Sequence, residues 1–324
     1  MLKLATDVDF DLNNGKKIPA LGLGTVPPPD ASQIKDQVIT AVKAGYHHID
    51  TAWFYGSEKY IGEALQQLFK EGYKREDLFI TTKVWPLHWK HVERGLDESL
   101  ALLQLDYVDL LLQHWPVAFD TDDNDKPAVP KDDNGRTKLA DDPVTGTKYL
   151  DVYGQLEQIL QTTSKVKLIG VSNYSIPRLR ALLKVAKVVP VVNQVEYHPQ
   201  LPQQDLTDFA KQHGIVLFAY SPLGSTGAPV LQLKEVQDLA TKYNVSGAEV
   251  ANAYNILQGR GLISRLSNLD RIKTNIRLPP LTDDELKTLY KVGEENPKRY
   301  INPDFGQGLG FRWWKGDTLS KEFD

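Results

Sequence analysis

Eight short apolar segments rich in β-forming residues recur along the chain, each separated from the next by a stretch with helical periodicity. They are ALGLGT (20–25), YHHIDTA (46–52), LFITTKV (78–84), YVDLLLQHW (107–115), KLIGVSN (167–173), VVNQVEYH (191–198), VLFAYSPL (216–223) and LISRL (262–266). Between them lie SEKYIGEALQQLFKEG (57–72), VERGLDESLALLQL, SIPRLRALLKVA, DLTDFAKQHG and SGAEVANAYNILQG. In the first of these Ser57 is placed to cap the helix, and Ile61, Leu65 and Leu68 share one face. Strands and helices alternating at this spacing form parallel βαβ units with right-handed crossovers. Eight units predict an α/β protein with a closed (β/α)8 TIM barrel. Such a barrel takes about 250 residues before insertions, so the 324 residues are read as one domain.

Two segments break the alternation. Residues 117–147, after the fourth strand, are acidic, carry Pro and Gly and have no periodicity. A loop that long inside a compact domain is expected to be a lid or a mobile binding loop. The segment from about residue 297 likewise lacks an apolar period, yet contains Tyr300, Phe305, Phe311, Trp313 and Trp314. Aromatic side chains in a loop need a surface to cover, and an aromatic lid over an apolar substrate pocket is the expectation.

Composition excludes several partners. With 41% hydrophobic and 25% charged residues and a net charge of −4, the chain lacks the basic excess that nucleic acid or an anionic membrane requires. It has no cysteine, no apolar run of spanning length and a polar N-terminus, which makes a cytoplasmic soluble protein the expectation. Asn173-Tyr-Ser and Asn244-Val-Ser match the glycosylation pattern but are read as chance matches.

In barrels of this kind the reactive groups sit at the C-terminal ends of the strands. Those positions hold Asp50 and Tyr55, Lys83 and Trp85, His114 and Trp115, Ser172 and Asn173, Gln194 and Glu196, and Tyr220 and Ser221. An acid, a phenol, an ammonium and an imidazole thus come together. A phenol ionises near pH 10, and a neighbouring ammonium is expected to lower that value. Asp50 would hold Lys83, and His114 could donate a hydrogen bond to a carbonyl. That is a proton donor beside an oxygen becoming an alkoxide. There is no metal-ligand spacing and no nucleophile–base dyad, so the second reagent would be a hydride from a cofactor.

The motifs LGLGT, HHIDTAWFYGSE, TTKVW, DLLLQHWP, GVSNYS, VNQVEYHP and AYSPLGS, in this order, resemble the aldo-keto reductase superfamily over about residues 8–300, and most of all the fungal NADPH-dependent aldehyde and ketone reductases. The resemblance implies a nicotinamide cofactor lying across the strand ends and reversible reduction of aldehydes and ketones to alcohols. It implies Tyr55 as general acid, with Asp50, Lys83 and His114 completing a tetrad. It places Ser172, Asn173 and Gln194 on the carboxamide, Tyr220 against the nicotinamide ring, Ser221, Leu223 and Ser225 at the pyrophosphate, and Gly24 and Thr25 beside the cofactor. No Rossmann-type glycine fingerprint is present.

Cofactor choice falls in RLSNLDRIKTN (265–275), where the resemblance puts Arg265 and Arg271 on a 2′-phosphate and Asn275 on adenine, with Ser267 and Asn268 between them. Two positions depart from the family: Leu266 replaces a usual Ser, and Ser264 a usual Pro. A guanidinium–phosphate contact is worth about 1.5–3 kcal/mol against about 0.5–1.5 for a neutral hydrogen bond, so NADPH is expected to be favoured over NADH. Val26 stands where many relatives carry Trp, which is expected to enlarge a pocket lined also by Trp53, Trp85 and Trp115. Taken singly, every one of these residues has an ordinary structural reading, and the histidines other than His114 are left in that class. Two other functions stay open: a glycoside hydrolase using Asp50 and Glu196, and a cofactor-binding regulatory barrel without turnover. A monomer and a homodimer are equally compatible with the sequence.

Overall fold

The computed structural model describes residues 2–120 and 128–314. Eight parallel strands close into a barrel in sequence order: β1 (Leu21–Gly24), β2 (His48–Asp50), β3 (Phe79–Val84), β4 (Val108–Gln113), β5 (Val166–Ser172), β6 (Val192–Glu196), β7 (Val216–Tyr220) and β8 (Gly261–Arg265). All eight expected strands are present. Register aligns their C-terminal ends, with Gly24 opposite Asp50, Asp50 opposite Thr81, Ser172 opposite Gln194 and Tyr220 opposite Glu196.

The outer layer consists of α1 (Gln33–Lys43), α2 (Glu58–Lys70), α3 (Val92–Leu103), α4 (Lys148–Thr162), α5 (Ile176–Leu183), α6 (Gln204–Gln212), α7 (Lys234–Tyr243) and α8 (Gly247–Ile256), followed after β8 by α9 (Leu269–Thr274) and α10 (Asp283–Glu295). Ile61, Leu65 and Leu68 of α2 face the core as their spacing predicts. Ser57 does not cap that helix: its backbone is already helical and its hydroxyl makes no capping bond. Ser246 with Glu249, and Thr282 with Glu285, form full capping boxes on α8 and α10, each satisfying two helix-end donors. No helix among the described residues is long and apolar enough to cross a membrane.

Period-two alternation splits the apolar residues into two cores. Leu111 and Ile169 point outward to the helices, whereas Leu110, Leu112, Leu168, Phe218 and Ile263 fill the barrel interior. Packing there is tight enough that a Cβ on Gly261 would lie 2.3 Å from Phe218 Cζ. An antiparallel hairpin of Asp9–Asp11 and Lys17–Pro19 brings Leu12 and Ile18 onto that interior core and plugs the N-terminal end. With that end plugged, the C-terminal end carries the large cavity.

The described part of the insertion, Val117–Asp120 and residues 128–147, is ordered against the C-terminal segment. Thr137 donates to Asp304 from its amide (2.8 Å) and its hydroxyl (2.7 Å), and Lys131 Nζ lies 3.0 Å from the same carboxylate. Phe305 stands edge-on to Trp115 and Phe119, with ring centroids 5.1 and 5.2 Å apart. Phe305, Phe311 and Trp314 are therefore buried at the barrel mouth, backing Trp115, whereas Tyr300 is half-buried and Trp313 is exposed.

Candidate active site

A cavity of about 740 Å3 opens at the C-terminal ends of the strands. Asp50, Tyr55 and His114 line its floor, Val26 and Trp115 one side, and Ser221 to Ala228 a long arm that reaches Arg265 and Arg271. Gly24, Ser172, Asn173, Gln194, Tyr220, Leu223 and Ser225 line it as well.

Beneath the floor Lys83 is 1% exposed, and its Nζ donates to Asp50 Oδ1 at 2.5 Å and to the Thr51 carbonyl at 2.8 Å. Gln194 Nε2 donates to the other Asp50 oxygen at 2.8 Å. The carboxylate is thereby held on both sides. Lys83 Nζ stands 5.2 Å from the centre of the Tyr55 ring, and the Tyr55 and His114 rings meet edge to face at 5.7 Å. Trp85 does not line the cavity: it stacks on Phe54 at 3.8 Å and braces His114 edge-on at 5.0 Å.

Burial sets the charge states. Burial, reinforced by the Asp50 charge, pushes the Tyr55 phenol well above its ordinary value, contrary to the expected lowering by Lys83. Asp50, 2.5 Å from Lys83, neutralises that ammonium, so its field at the phenol is largely cancelled and desolvation prevails. Burial also pulls Lys83 down, with Asp50 opposing, and holds His114 well below the usual histidine range, aided by the Lys83 charge. Tyr55 is thus a protonated phenol and His114 a neutral imidazole at neutral pH.

The wall facing Tyr55 is interlocked. Asn173, in left-handed backbone (φ +62°), donates from Nδ2 to the His114 carbonyl at 2.9 Å and to Ser172 Oγ at 3.1 Å. Its Oδ1 accepts from Tyr220 OH at 2.8 Å, and Ser172 Oγ donates to the Gln194 carbonyl at 2.8 Å. These bonds fix the side chains from β5, β6 and β7 before any ligand arrives. They also place Asn173, 3% exposed, inside the protein, where a glycan cannot be attached.

The arm from Ser221 to Ala228 has backbone and charge features that suit an extended anionic ligand. Gly224 has φ +88°, and a Cβ there would strike Pro229 and Tyr300. Arg265 donates to the Pro27 carbonyl at 3.1 Å, and among the described residues no carboxylate pairs with either Arg265 or Arg271. Two unpaired guanidinium groups at the end of a cavity suit a phosphate monoester.

Several expected residues lie elsewhere. Trp53 is not in the cavity: its indole N–H donates to Glu98 on α3 at 2.8 Å and its ring meets His88 edge-on at 4.4 Å. Thr25 is buried behind the wall, its hydroxyl donating to the Asp50 carbonyl at 2.9 Å. Asn275 is buried, its Oδ1 accepting from Ser246 Oγ at 3.1 Å, whereas Ser267 is exposed and Asn268 caps α9. Leu266 turns into the core, whereas Ser264 lines the cavity. Glu196, half of the hydrolase pair, is fully buried and bound to the backbone of the C-terminal segment. Ile301 lines the cavity without any sequence signal, because its place depends on the fold of the chain end.

A parallel barrel with an Asp, Tyr, Lys and His gathered at its mouth defines a class of oxidoreductase scaffold, and comparison with known proteins settles the family. Residues 20–294 match the model of the aldo/keto reductase family. The chain is 43% identical over 309 residues to a D-galacturonate reductase of Hypocrea jecorina, covering 93% of this chain and 97% of that protein. It is 39% identical over 302 residues to the NADP(+) glycerol 2-dehydrogenase of Saccharomyces cerevisiae, with 91% and 94% covered. Among solved structures it resembles the aldose reductase from Schistosoma japonicum at a TM-score of 0.82 and 30% identity, covering 91% and 94% of the two chains. The protein belongs to the aldo/keto reductase family, and is an oxidoreductase acting on carbonyl and alcohol groups.

Proposed function

We propose that the protein reduces the carbonyl of small aldehydes and ketones with NADPH, with Tyr55 as the general acid. One observation carries this reading: Tyr55 and His114 share a cavity floor over the buried Lys83–Asp50 pair, and the same cavity continues to the unpaired Arg265 and Arg271. A nicotinamide cofactor bound along that arm supplies the hydride. Ser172, Asn173 and Gln194 would hold its carboxamide, Tyr220 its ring, and the segment from Ser221 to Ser225 its phosphates.

The chain's own residues manage the proton. Neutral His114 orients the substrate oxygen by a hydrogen bond, and Tyr55 holds its proton until that oxygen becomes an alkoxide, a stronger base than phenolate. The Lys83 ammonium then faces a phenolate, an attraction absent from the resting state, so it stabilises the charge as it develops. Asp50 keeps Lys83 in place and charged.

Two arginines meeting the 2′-phosphate favour NADPH over NADH despite the missing Ser at position 266. The test is cofactor oxidation on a panel of aldehydes, ketones and sugars, with NADPH and NADH in parallel and a Tyr55→Phe control. Faster turnover with NADPH and a loss of about 100-fold or more in the control are expected. Cofactor binding with no turnover on any carbonyl would refute the reading in favour of a binding-only barrel.

A further inference from the structure

A carboxylate at the end of a barrel strand ordinarily reads as catalytic, yet Glu196 at the end of β6 faces no part of the cavity. It is fully buried, and among the described residues the partners of its carboxylate belong to the barrel rim and to the C-terminal segment. Its Oε1 accepts from the Tyr300 amide at 2.8 Å and lies 3.0 Å from His198 Nε2, and its Oε2 accepts from the Ile301 amide at 2.9 Å. The Arg299 guanidinium, its side chain 2% exposed, stands 3.9 Å away.

Those three consecutive residues bear on the cavity by different routes. Ile301 lines it directly. Tyr300 packs beside Gly224 in the arm assigned to the cofactor phosphates, and its hydroxyl donates to Gln200 Oε1 at 2.7 Å. Arg299 donates to Gln203 Oε1 at 3.1 Å and lies over the Phe311 and Trp314 rings at 4.7 and 5.2 Å. Trp314 in turn stands edge-on to Trp115, which lines the substrate end, at 6.2 Å.

We infer that Glu196 is a positioning residue that clamps residues 299–301 to the barrel mouth and thereby sets the pocket's selectivity for substrate size, through Ile301 directly and through Arg299, Trp314 and Trp115. The chemistry suits the task. A single carboxylate satisfies two successive backbone N–H groups of a segment that belongs to neither helix nor strand, and does so with charge-assisted bonds that a neutral side chain cannot match. An amide in its place offers one acceptor oxygen and turns an NH2 group towards a backbone donor.

The inference rests on the reductase reading for its kinetic arm alone, so the experiment has a second arm that needs no turnover. Wild type and Glu196→Gln are digested with trypsin under native conditions, and cleavage between Lys298 and Ile301 is followed by mass spectrometry. The variant is expected to be cut about tenfold faster, the change that loss of one charge-assisted hydrogen bond corresponds to. In the kinetic arm, the ratio of KM for a bulky aromatic ketone to KM for a small aldehyde is expected to shift about tenfold while kcat for the aldehyde holds. Equal protection of the two proteins overturns the inference, as does an unchanged KM ratio, or an equal fall in kcat for both substrates with a new limb in the pH profile. If Glu196→Gln does not fold, Arg299→Met releases the same segment from the other side and is read by cleavage after Lys298. A wild-type chain that turns over no carbonyl counts against the reductase reading and leaves the proteolysis arm to decide the clamp.

Discussion

Glu58 is the first residue of α2, three positions after Tyr55, and is fully buried. Thr82 Oγ1 donates to its Oε1 at 2.6 Å, and Ser99 faces the same carboxyl. Burial raises its pKa from 4.5 to about 7, against the opposing pull of Thr82, Ser99 and the Lys83 charge. The folded protein therefore holds this proton more tightly than the unfolded chain does. The resulting stability is fully present below pH 4.5 and is lost as the pH rises through about 7. Above both values the buried charge costs about 3 kcal/mol, the free-energy equivalent of a shift of that size. Glu58→Gln keeps a carbonyl acceptor for Thr82 and never ionises. Urea unfolding of wild type and variant across the range from about pH 4 to about pH 8.5 should give stabilities that converge at the acid end, with the variant ahead by about 3 kcal/mol at the alkaline end. A difference that stays flat over that range would refute the reasoning, because it would mean that Glu58 ionises alike in both states.

Lys83→Met leaves Asp50 buried with Gln194 and Thr25 as neighbours but no cation, and is expected to cost about 3–5 kcal/mol of stability as well as turnover. Thermal and urea unfolding check this, and a loss under about 1 kcal/mol would refute the view that the buried pair depends on its cation. Val26 lies at the cavity, 40% exposed, with room in front of it. Val26→Trp should lower kcat/KM for bulky ketones about tenfold or more and spare small aldehydes, and an unchanged size preference would place the size filter elsewhere.

Much of the site was legible in sequence because it is written at strand ends. Once eight strands are counted, alternation and the barrel rule place Asp50, Lys83, His114, Ser172, Gln194 and Tyr220 on one rim without further information. The helical face of α2 followed from its spacing for the same reason, since both are local periodicities. What failed was whatever depended on direction or on distant chain. Trp53 sits one residue before Phe54 in a short 3-10 turn, and the turn aims it at Glu98 on α3, away from the cavity. Asn275 ends under α8, and Leu266 faces the core, because the helix after β8 turns the chain there.

Electrostatics was the least legible part. The sequence places an ammonium beside a phenol, from which a lowered pKa follows; the fold buries both and neutralises the ammonium with Asp50, and the phenol rises instead. Glu196 shows the same limit, since a carboxylate at a strand end can meet a substrate or a backbone, and the path of residues 299–301 decides which. By itself the sequence determined the barrel, the order of its strands and the ring of side chains at its C-terminal rim, because these follow from short-range periodicity. Only the tertiary structure decided which of those side chains are charged, which look into the cavity and what covers it, because desolvation and long-range packing depend on residues that are neighbours in space and strangers in sequence.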